Sequence, residues 1–420
     1  MGASYVVFGK ADSDAVELSN VSNGENGFAI TSETNGSSSG FSVSGGQDIN
    51  GDGQPDVLIG MPLGSDSSGA AYAVFTSENN FSDVNLADLN SVGTATGLAL
   101  SYSGEENFVG YTTAIGDING NGLADLVIGA PGVDGEEGVA WVVFDHDGAG
   151  AIDLSTLEAN TAGFVINGTN DYGKGRYLES IGDINGDGYD DILLGASNGS
   201  NRIIFGKSSS SAITLGGSGS SINGVDFVTL KSRTVETTFI GSLPLTTNIA
   251  ASYGRSSAGG GDINGDGISD VLISEAFSDE DYYQITTLFG KEDFLSLNLD
   301  EFSSSSTNGF TIRRDETVTG GIGLDLLNPN SPVKDTIPDV VGLYAPSKQL
   351  SPSIVGDING DGLDDIAFSL NNSSGNKIYA IFGKKDGVTV DLNQPLAPDV
   401  GFGIEVPLDN EAGGRERAVV

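Results

Sequence analysis

The sequence predicts an all-β protein, a β-propeller of four-stranded blades with five complete repeats and parts of a sixth. Three observations carry this expectation. One acidic loop recurs five times along the 420 residues, each copy sits among the same short apolar runs, and glycine is abundant (63 residues) while cysteine is absent. Apolar runs of a few residues bounded by glycines make strands and tight turns, because they are too short for helices.

The recurring string is Asp-Ile-Asn-Gly-Asp/Asn-Gly, beginning at Asp48, Asp117, Asp183, Asp262 and Asp357. The first two intervals are nearly equal. The later two are longer, which places inserts within Ser210–Ser257 and Asp315–Pro352. The last interval is still too short for two units, so it holds an insertion and not a lost repeat.

A short first strand precedes each loop, as in Gly40–Ser44 and Gly110–Ile115. The second strand follows it: Val57–Ile59, Leu126–Ile128, Ile192–Leu194, Val271–Ile273 and Ile366–Phe368. These runs have no polar alternation, which marks a strand covered on both faces. The third ends in Phe, often as Phe-Gly-Lys: Ala73–Phe75, Trp141–Phe144, Arg202–Lys207, Thr287–Lys291 and Tyr379–Lys384. The fourth is Gly97–Leu100, Gly163–Ile166, Gly309–Ile312 or Gly401–Ile404, with a weaker version at Val225–Leu230. Four short strands repeated in this way describe propeller blades packed sheet on sheet.

The expected organisation is a single domain over 1–420. It has a partial blade over 1–31, blades over about 32–100, 101–166, 167–230, 231–313 and 314–408, and the start of another over 409–420. Tyr5–Lys10 reads as a third strand and Gly27–Ile30 as a fourth, with no first or second strand ahead of them, and Gly413–Val420 resembles the beginning of a first strand. Either these pieces pair to close the ring, or the chain is a fragment of a longer protein. The second reading is favoured, because no loop or second strand is supplied for the split blade.

The loops carry the chemistry. Oxygen side chains stand at positions 1, 3, 5 and 9: Asp48, Asn50, Asp52 and Asp56; Asp117, Asn119, Asn121 and Asp125; Asp183, Asn185, Asp187 and Asp191; Asp262, Asn264, Asp266 and Asp270; Asp357, Asn359, Asp361 and Asp365. Position 7 is Gln54, Leu123, Tyr189, Ile268 or Leu363, a variety expected if only its carbonyl is used. Calcium wants six to eight hard oxygens, and a tight turn brings alternate side chains around one centre. Glycine at position 6 suits a backbone with positive φ. An EF-hand opens similarly but needs a Glu at position 12 and flanking helices. Position 12 here is Ile59, Ile128, Leu194, Ile273 or Phe368, inside a strand each time. Metal-free Asx turns would explain one such loop. Five loops with the same oxygen positions argue for about five Ca2+ sites, and magnesium, which prefers to keep its waters, is disfavoured.

With these loops, the following apolar strand and the Gly129-Ala-Pro131 sequence, the chain resembles the FG-GAP repeats of the integrin α-subunit propeller and of bacterial surface proteins. The resemblance implies calcium loops between the first two strands, ligand recognition by other surface loops, and a ring usually of seven blades. The pattern departs at Gly60-Met-Pro, Gly195-Ala-Ser and Ser274-Glu-Ala, and at Asn121, where Asp is usual.

The formal charge of −40 sets a repulsive field against phosphate, so nucleic acid and anionic lipid are poor partners. The acidity reads as a solvated surface or as metal ligation, and the two readings are compatible. No apolar run reaches the length of a membrane span, so no membrane insertion is expected. The N-terminus lacks the basic and apolar segments of a signal peptide. Gly36–Gly40 matches the serine-nucleophile pattern, but it lies in a Ser/Gly-rich connection, and His146, the single histidine, sits at a turn. Gly168–Lys174 nearly spells a phosphate loop, but Gly175 stands where Ser or Thr is required.

The expected function is therefore a non-enzymatic, calcium-binding adhesion or interaction module. It would take an extracellular protein or glycan and work outside the cell or at its surface, as part of a larger secreted protein. The alternative is a calcium-dependent polysaccharide lyase or hydrolase on the same scaffold. Among the loops, the one at Asp117 has the fewest carboxylates and is expected to bind calcium most weakly, unless an outside carboxylate such as Glu105 or Glu106 reaches in.

Overall fold

A computed structural model describes residues 2–11, 15–22, 24, 26–32, 38–63, 68–77, 81–90, 96–103, 107–133, 138–144, 150–159, 162–168, 177–195, 201–215, 227–230, 252–276, 282–292, 307–315, 351–372 and 375–406. Most of both inserts, the Gly413–Val420 piece, His146, Lys174, Glu105 and Glu106 lie outside the described residues.

The chain is all β, and among the described residues its strands form six sheets in chain order, here numbered blades 1 to 6. Blade 1 holds Ala3–Val7 and Gly27–Thr31. Blade 2 holds Ser42–Gln47, Asp56–Met61, Ala70–Val74 and Gly97–Ser101. Blade 3 holds Thr112–Gly116, Asp125–Ala130, Val139–Val143 and Gly163–Asn167. Blade 4 holds Tyr177–Gly182, Asp191–Gly195, Asn201–Ile204 and Phe227–Leu230. Blade 5 holds Ser252–Gly261, Asp270–Ala276, Tyr282–Leu288 and Gly309–Asp315. Blade 6 holds Ser351–Ile354, Ile366–Asn372, Gly375–Ile381 and Gly401–Val406.

Within a blade the strands are antiparallel and sequential, so each side chain row crosses the sheet and faces one neighbour. In blade 2 the row Ile59, Tyr72 and Ala99 faces blade 1, and the row Ser44, Leu58, Ala73 and Leu98 faces blade 3. The second strands are buried on both faces for this reason; Asp125–Ala130 is buried at every residue. Apolar side chains of successive blades merge into shared cores, as where Leu58, Leu98 and Leu100 meet Leu126, Ile128 and Trp141. Burial of such rows, at roughly 1.5–3 kcal/mol per large side chain, is the main cohesion between blades.

The structure adds a strand that the four-strand expectation does not contain. The connection between third and fourth strands clips onto the outer strand of the preceding blade, in parallel. Val84–Asn85 pairs with Ile30–Thr31, Gly150–Asp153 with Leu98–Ser101, Ile213–Thr214 with Ile166–Asn167, and Val390–Asp391 with Ile312–Arg313. A leucine after the clip (Leu86, Leu154 or Leu215) is buried against that preceding blade. These segments are short and share one pattern, Val84-Asn85-Leu86, Ile152-Asp153-Leu154, Ile213-Thr214-Leu215 and Val390-Asp391-Leu392. The strand each pairs with lies in another blade, and no local pattern names it.

Candidate metal loops at the blade edges

All five loops lie between a first and a second strand, and they curl by a shared set of hydrogen bonds. In the Asp183 loop, Asp183 Oδ1 accepts from Asp187 N at 3.0 Å and Oδ2 from Gly188 N at 2.8 Å. Asn185 Oδ1 accepts from Asp187 N at 2.9 Å, and Asp187 Oδ1 from Tyr189 N at 3.0 Å. The Asp48, Asp117, Asp262 and Asp357 loops repeat the same position 1 to 6, 3 to 5 and 5 to 7 bonds. Each side chain oxygen thus bends back over the next turn of backbone. Position 6 has positive φ as expected, 82° at Gly53 and 90° at Gly188, and so does position 4, 79° at Gly51 and 73° at Gly186. A side chain at either position would strain the curl.

Position 9 has a different setting. Asp56, Asp125, Asp191, Asp270 and Asp365 are all 0% exposed. Asp191 Oδ2 accepts from Ile184 N at 3.0 Å, and Oδ1 accepts from Gly206 N at 2.9 Å. The same pair of bonds ties Asp56 to Ile49 and Thr76, Asp270 to Ile263 and Gly290, and Asp365 to Ile358 and Gly383. The carboxylate therefore pins the start of the loop to the end of the third strand. Burial pushes the Asp56 carboxyl up to about 6, that of Asp270 to about 7 and that of Asp191 to about 8, with N–H donors pulling the other way. Asp357, exposed at position 1, is instead held below the usual range, first by the Gly362 N–H.

Among the described residues, no three acidic or histidine side chains converge closely enough to cage a metal by themselves. The donor set of each loop is mixed: carboxylates, one Asn amide (two in the Asp117 loop) and a backbone carbonyl. All are hard oxygens, and each oxygen that accepts one N–H keeps a further lone pair. That chemistry fits calcium better than softer metals.

Neighbouring loops are also linked, which sequence reasoning missed. The N–H of position 8 donates to the position 1 carbonyl of the preceding loop: Ala124 to Asp48 at 2.8 Å, Asp190 to Asp117 at 2.9 Å, Ser269 to Asp183 at 3.2 Å and Asp364 to Asp262 at 3.1 Å. Where position 8 is Asp, its side chain returns the bond. Asp190 Oδ2 accepts from Asp117 N at 2.9 Å, and Asp364 Oδ2 accepts from Asp262 N at 2.8 Å. The Phe-Gly-Lys segment closes the same gap. Lys207 N donates to Ile118 O at 2.8 Å, and Lys291 N to Ile184 O at 2.9 Å. A Cβ on Gly206 would run into the carbonyls of both Asp190 and Ile118, so glycine is required by close approach. The doubled aspartates Asp190-Asp191 and Asp364-Asp365 were a visible signal. Their partners lie in another repeat, and no local pattern names them.

Residues 39–74, 109–143 and 177–215 match the FG-GAP repeat. The chain is similar to integrin alpha-PS2 of Drosophila melanogaster, 32% identical over 159 residues, which are 36% of this chain and 10% of that protein. It is similar to human integrin alpha-8, 29% identical over 163 residues (37% of this chain, 13% of the relative), and to human integrin alpha-6, 40% identical over 90 residues (21% and 7%). The matched region is thus a small part of these much longer relatives.

Proposed function

We propose that this chain, which carries FG-GAP repeats like those of integrin alpha chains, is a calcium-braced recognition module without catalytic activity. The observation that carries this reading is the recurrence of one loop geometry five times, with oxygen donors at the same positions on each loop. Positions 1, 3 and 5 would hold the ion with their side chain oxygens and position 7 with its carbonyl. Position 9 would complete the charge from beneath. In four loops the Asn amide N–H now satisfies the second oxygen of the position 5 carboxylate, as between Asn185 and Asp187 at 2.9 Å. Calcium would take over that role and hold acidic groups that otherwise repel one another.

Because the loops are bonded in series, bracing one would stiffen its neighbours. The blades would then present their remaining surface loops to an extracellular protein or glycan. Loops of this kind would fill at extracellular calcium levels, which supports a module working outside the cell or at its surface. Among the described residues no helix is long and apolar enough to cross a membrane.

Thermal unfolding in millimolar calcium and in chelator tests the reading. A ligand bound only by the folded state adds about 2.7 kcal/mol per site at a hundredfold excess over Kd, so the melting temperature should be well above that in chelator. Equal melting temperatures would overturn the calcium reading. Incubation with acidic polysaccharides should give no new reducing or unsaturated ends; product formation would overturn the non-catalytic reading.

A further inference from the structure

Position 4 of each loop is a glycine on which the next blade rests. A Cβ placed there would meet the position 7 side chain of the following loop: Leu123 at Gly51, Tyr189 at Gly120, Ile268 at Gly186 and Leu363 at Gly265. At two loops a charged side chain of the same neighbouring blade comes beside it. The Glu292 Cγ lies 3.6 Å from the place of a Cβ on Gly186, in the Asp183 loop. The Lys385 Nζ lies 3.4 Å from that place on Gly265, in the Asp262 loop, and its Cε lies 3.5 Å away. Both residues follow directly on a Phe-Gly-Lys segment, Phe289–Lys291 and Phe382–Lys384.

The backbone fixes these approaches. Lys291 N donates to Ile184 O at 2.9 Å. In blade 6 a Cβ on Gly383 would stand 2.8 Å from Ile263 O, so that segment is seated against the Asp262 loop as well. Lys384 turns elsewhere: its ammonium meets Asp386 at 2.8 Å and lies 5.1 Å from the centre of the Phe310 ring, a cation–π contact. The charge carried to the Asp262 loop is therefore that of Lys385. Otherwise the Asp183 and Asp262 loops are matched, with Asp, Asn, Asp and Asp at positions 1, 3, 5 and 9. At position 8 the following blade gives Ser269 to the first and Asp364 to the second, where Asp364 Oδ2 accepts from Asp262 N at 2.8 Å. Blade 6 thus brings the Asp262 loop one carboxylate and one ammonium, which offset each other. Blade 5 brings the Asp183 loop a carboxylate alone.

We infer that the residue after Phe-Gly-Lys sets how readily the loop of the preceding blade takes a cation. Lys385 is a tethered ammonium that competes with a metal ion at the Asp262 loop, and Glu292 is an added carboxylate that attracts one to the Asp183 loop. The inference rests on the calcium reading. Both side chains are exposed and come from outside the loop they face, so they act through their charge on the site. The two loops therefore differ in affinity although their own donors are the same. As calcium rises, the Asp183 loop fills first and the Asp262 loop follows. The junction between blades 4 and 5 is then braced at a lower calcium level than that between blades 5 and 6. At the Asp117 loop the corresponding residue is the neutral Ser208, which adds no charge.

Calcium titration of the whole chain by NMR tests this, at low ionic strength where exposed charges are least screened. The Gly188 amide reports the Asp183 loop and the Gly267 amide the Asp262 loop. In wild type the Asp183 loop should half-fill at about fivefold lower calcium. Lys385→Glu should tighten the Asp262 loop about tenfold and leave the Asp183 loop unchanged. Glu292→Lys should weaken the Asp183 loop by about the same factor and leave the Asp262 loop unchanged. Raising the salt concentration should shrink both effects, which a merely structural role would not show. In chelator, Lys385→Gln should already move the Gly265 amide signal, because the ammonium stands beside it without any metal. Matched loops that fill together, or variants that leave both affinities unchanged, overturn the inference alone. An unmoved Gly265 signal in chelator does the same. If no loop responds to calcium, the calcium reading falls and this inference with it.

Discussion

The Asp117 and Asp183 loops sit side by side in blades 3 and 4 and differ at one donor. Position 5 is Asn121 in one and Asp187 in the other. In the Asp183 loop the Asn185 amide donates to Asp187, and the buried Asp191 is left to backbone N–H groups. In the Asp117 loop the equivalent amide, that of Asn119, swings to the buried carboxylate and donates to Asp125 Oδ1 at 2.9 Å, while Asn119 N donates to Oδ2. Losing one carboxylate thus redirects its neighbour. Yet the poorer loop is not alone, because Asp190 of the next blade accepts from the Asp117 N–H. Burial holds the Asp190 carboxyl above its usual range, with the charges of Asp117 and Asp183 adding to that rise. The charge around a loop is therefore set by two blades, and the outside carboxylate found is Asp190.

The largest expected difference between the loops is in pH dependence. In chelator, Asp191 at about 8 binds a proton in the folded state across a range where the unfolded carboxyl, near 3.8, does not. Stability contributed by that proton is fully present below the unfolded value and lost as pH rises toward 8, so the metal-free protein should melt several degrees higher at about pH 5.5 than at about pH 8.5, values that cover the upper part of that range. Asp191→Asn should flatten this slope. A melting temperature that rises with pH in chelator would contradict the burial of this group.

Truncation comes next. Asp191→Ala leaves the Ile184 and Gly206 N–H groups without their acceptor, at about 2–3 kcal/mol near pH 5.5. Asp125→Ala instead orphans the Asn119 backbone N–H and the Asn119 amide, again two donors, and should cost about the same. Urea unfolding of the two variants in chelator compares them directly, and a markedly smaller loss for Asp125→Ala would show that the Asn119 amide bond contributes nothing.

Charge exchange between the loops should be smaller. Asn121→Asp is expected to tighten calcium at the Asp117 loop by about 1–2 kcal/mol, and Asp187→Asn to weaken the Asp183 loop similarly. The amides of Gly122 and Gly188 report each site in a calcium titration by NMR. The smallest effect belongs to Asp190→Asn, which should weaken the Asp117 loop by about 0.5 kcal/mol, with little change at the Asp262 loop. If Asn121→Asp changes nothing while Asp190→Asn matters, the neighbouring blade and not the loop sets affinity.

Much of this molecule is legible along the chain because its decisive patterns are local. A loop of nine residues contains its own curl, so Asp, Asn and Gly at fixed spacing reveal the turn and its donors before any fold is known. Unalternating runs such as Leu126–Ile128 likewise announce a strand buried on both sides. What only the tertiary structure decided lies between repeats. The clip at Ile213–Thr214, the return bond from Asp190 to Asp117, and the closeness that makes Gly206 indispensable all join residues of different blades. The same holds for exposure: Ile263 and Ile358 stand in identical Asp-Ile-Asn strings, yet one is 0% and the other 50% exposed. Burial is a property of the neighbour that covers a side chain, and identical local sequence carries no record of whether that neighbour is there.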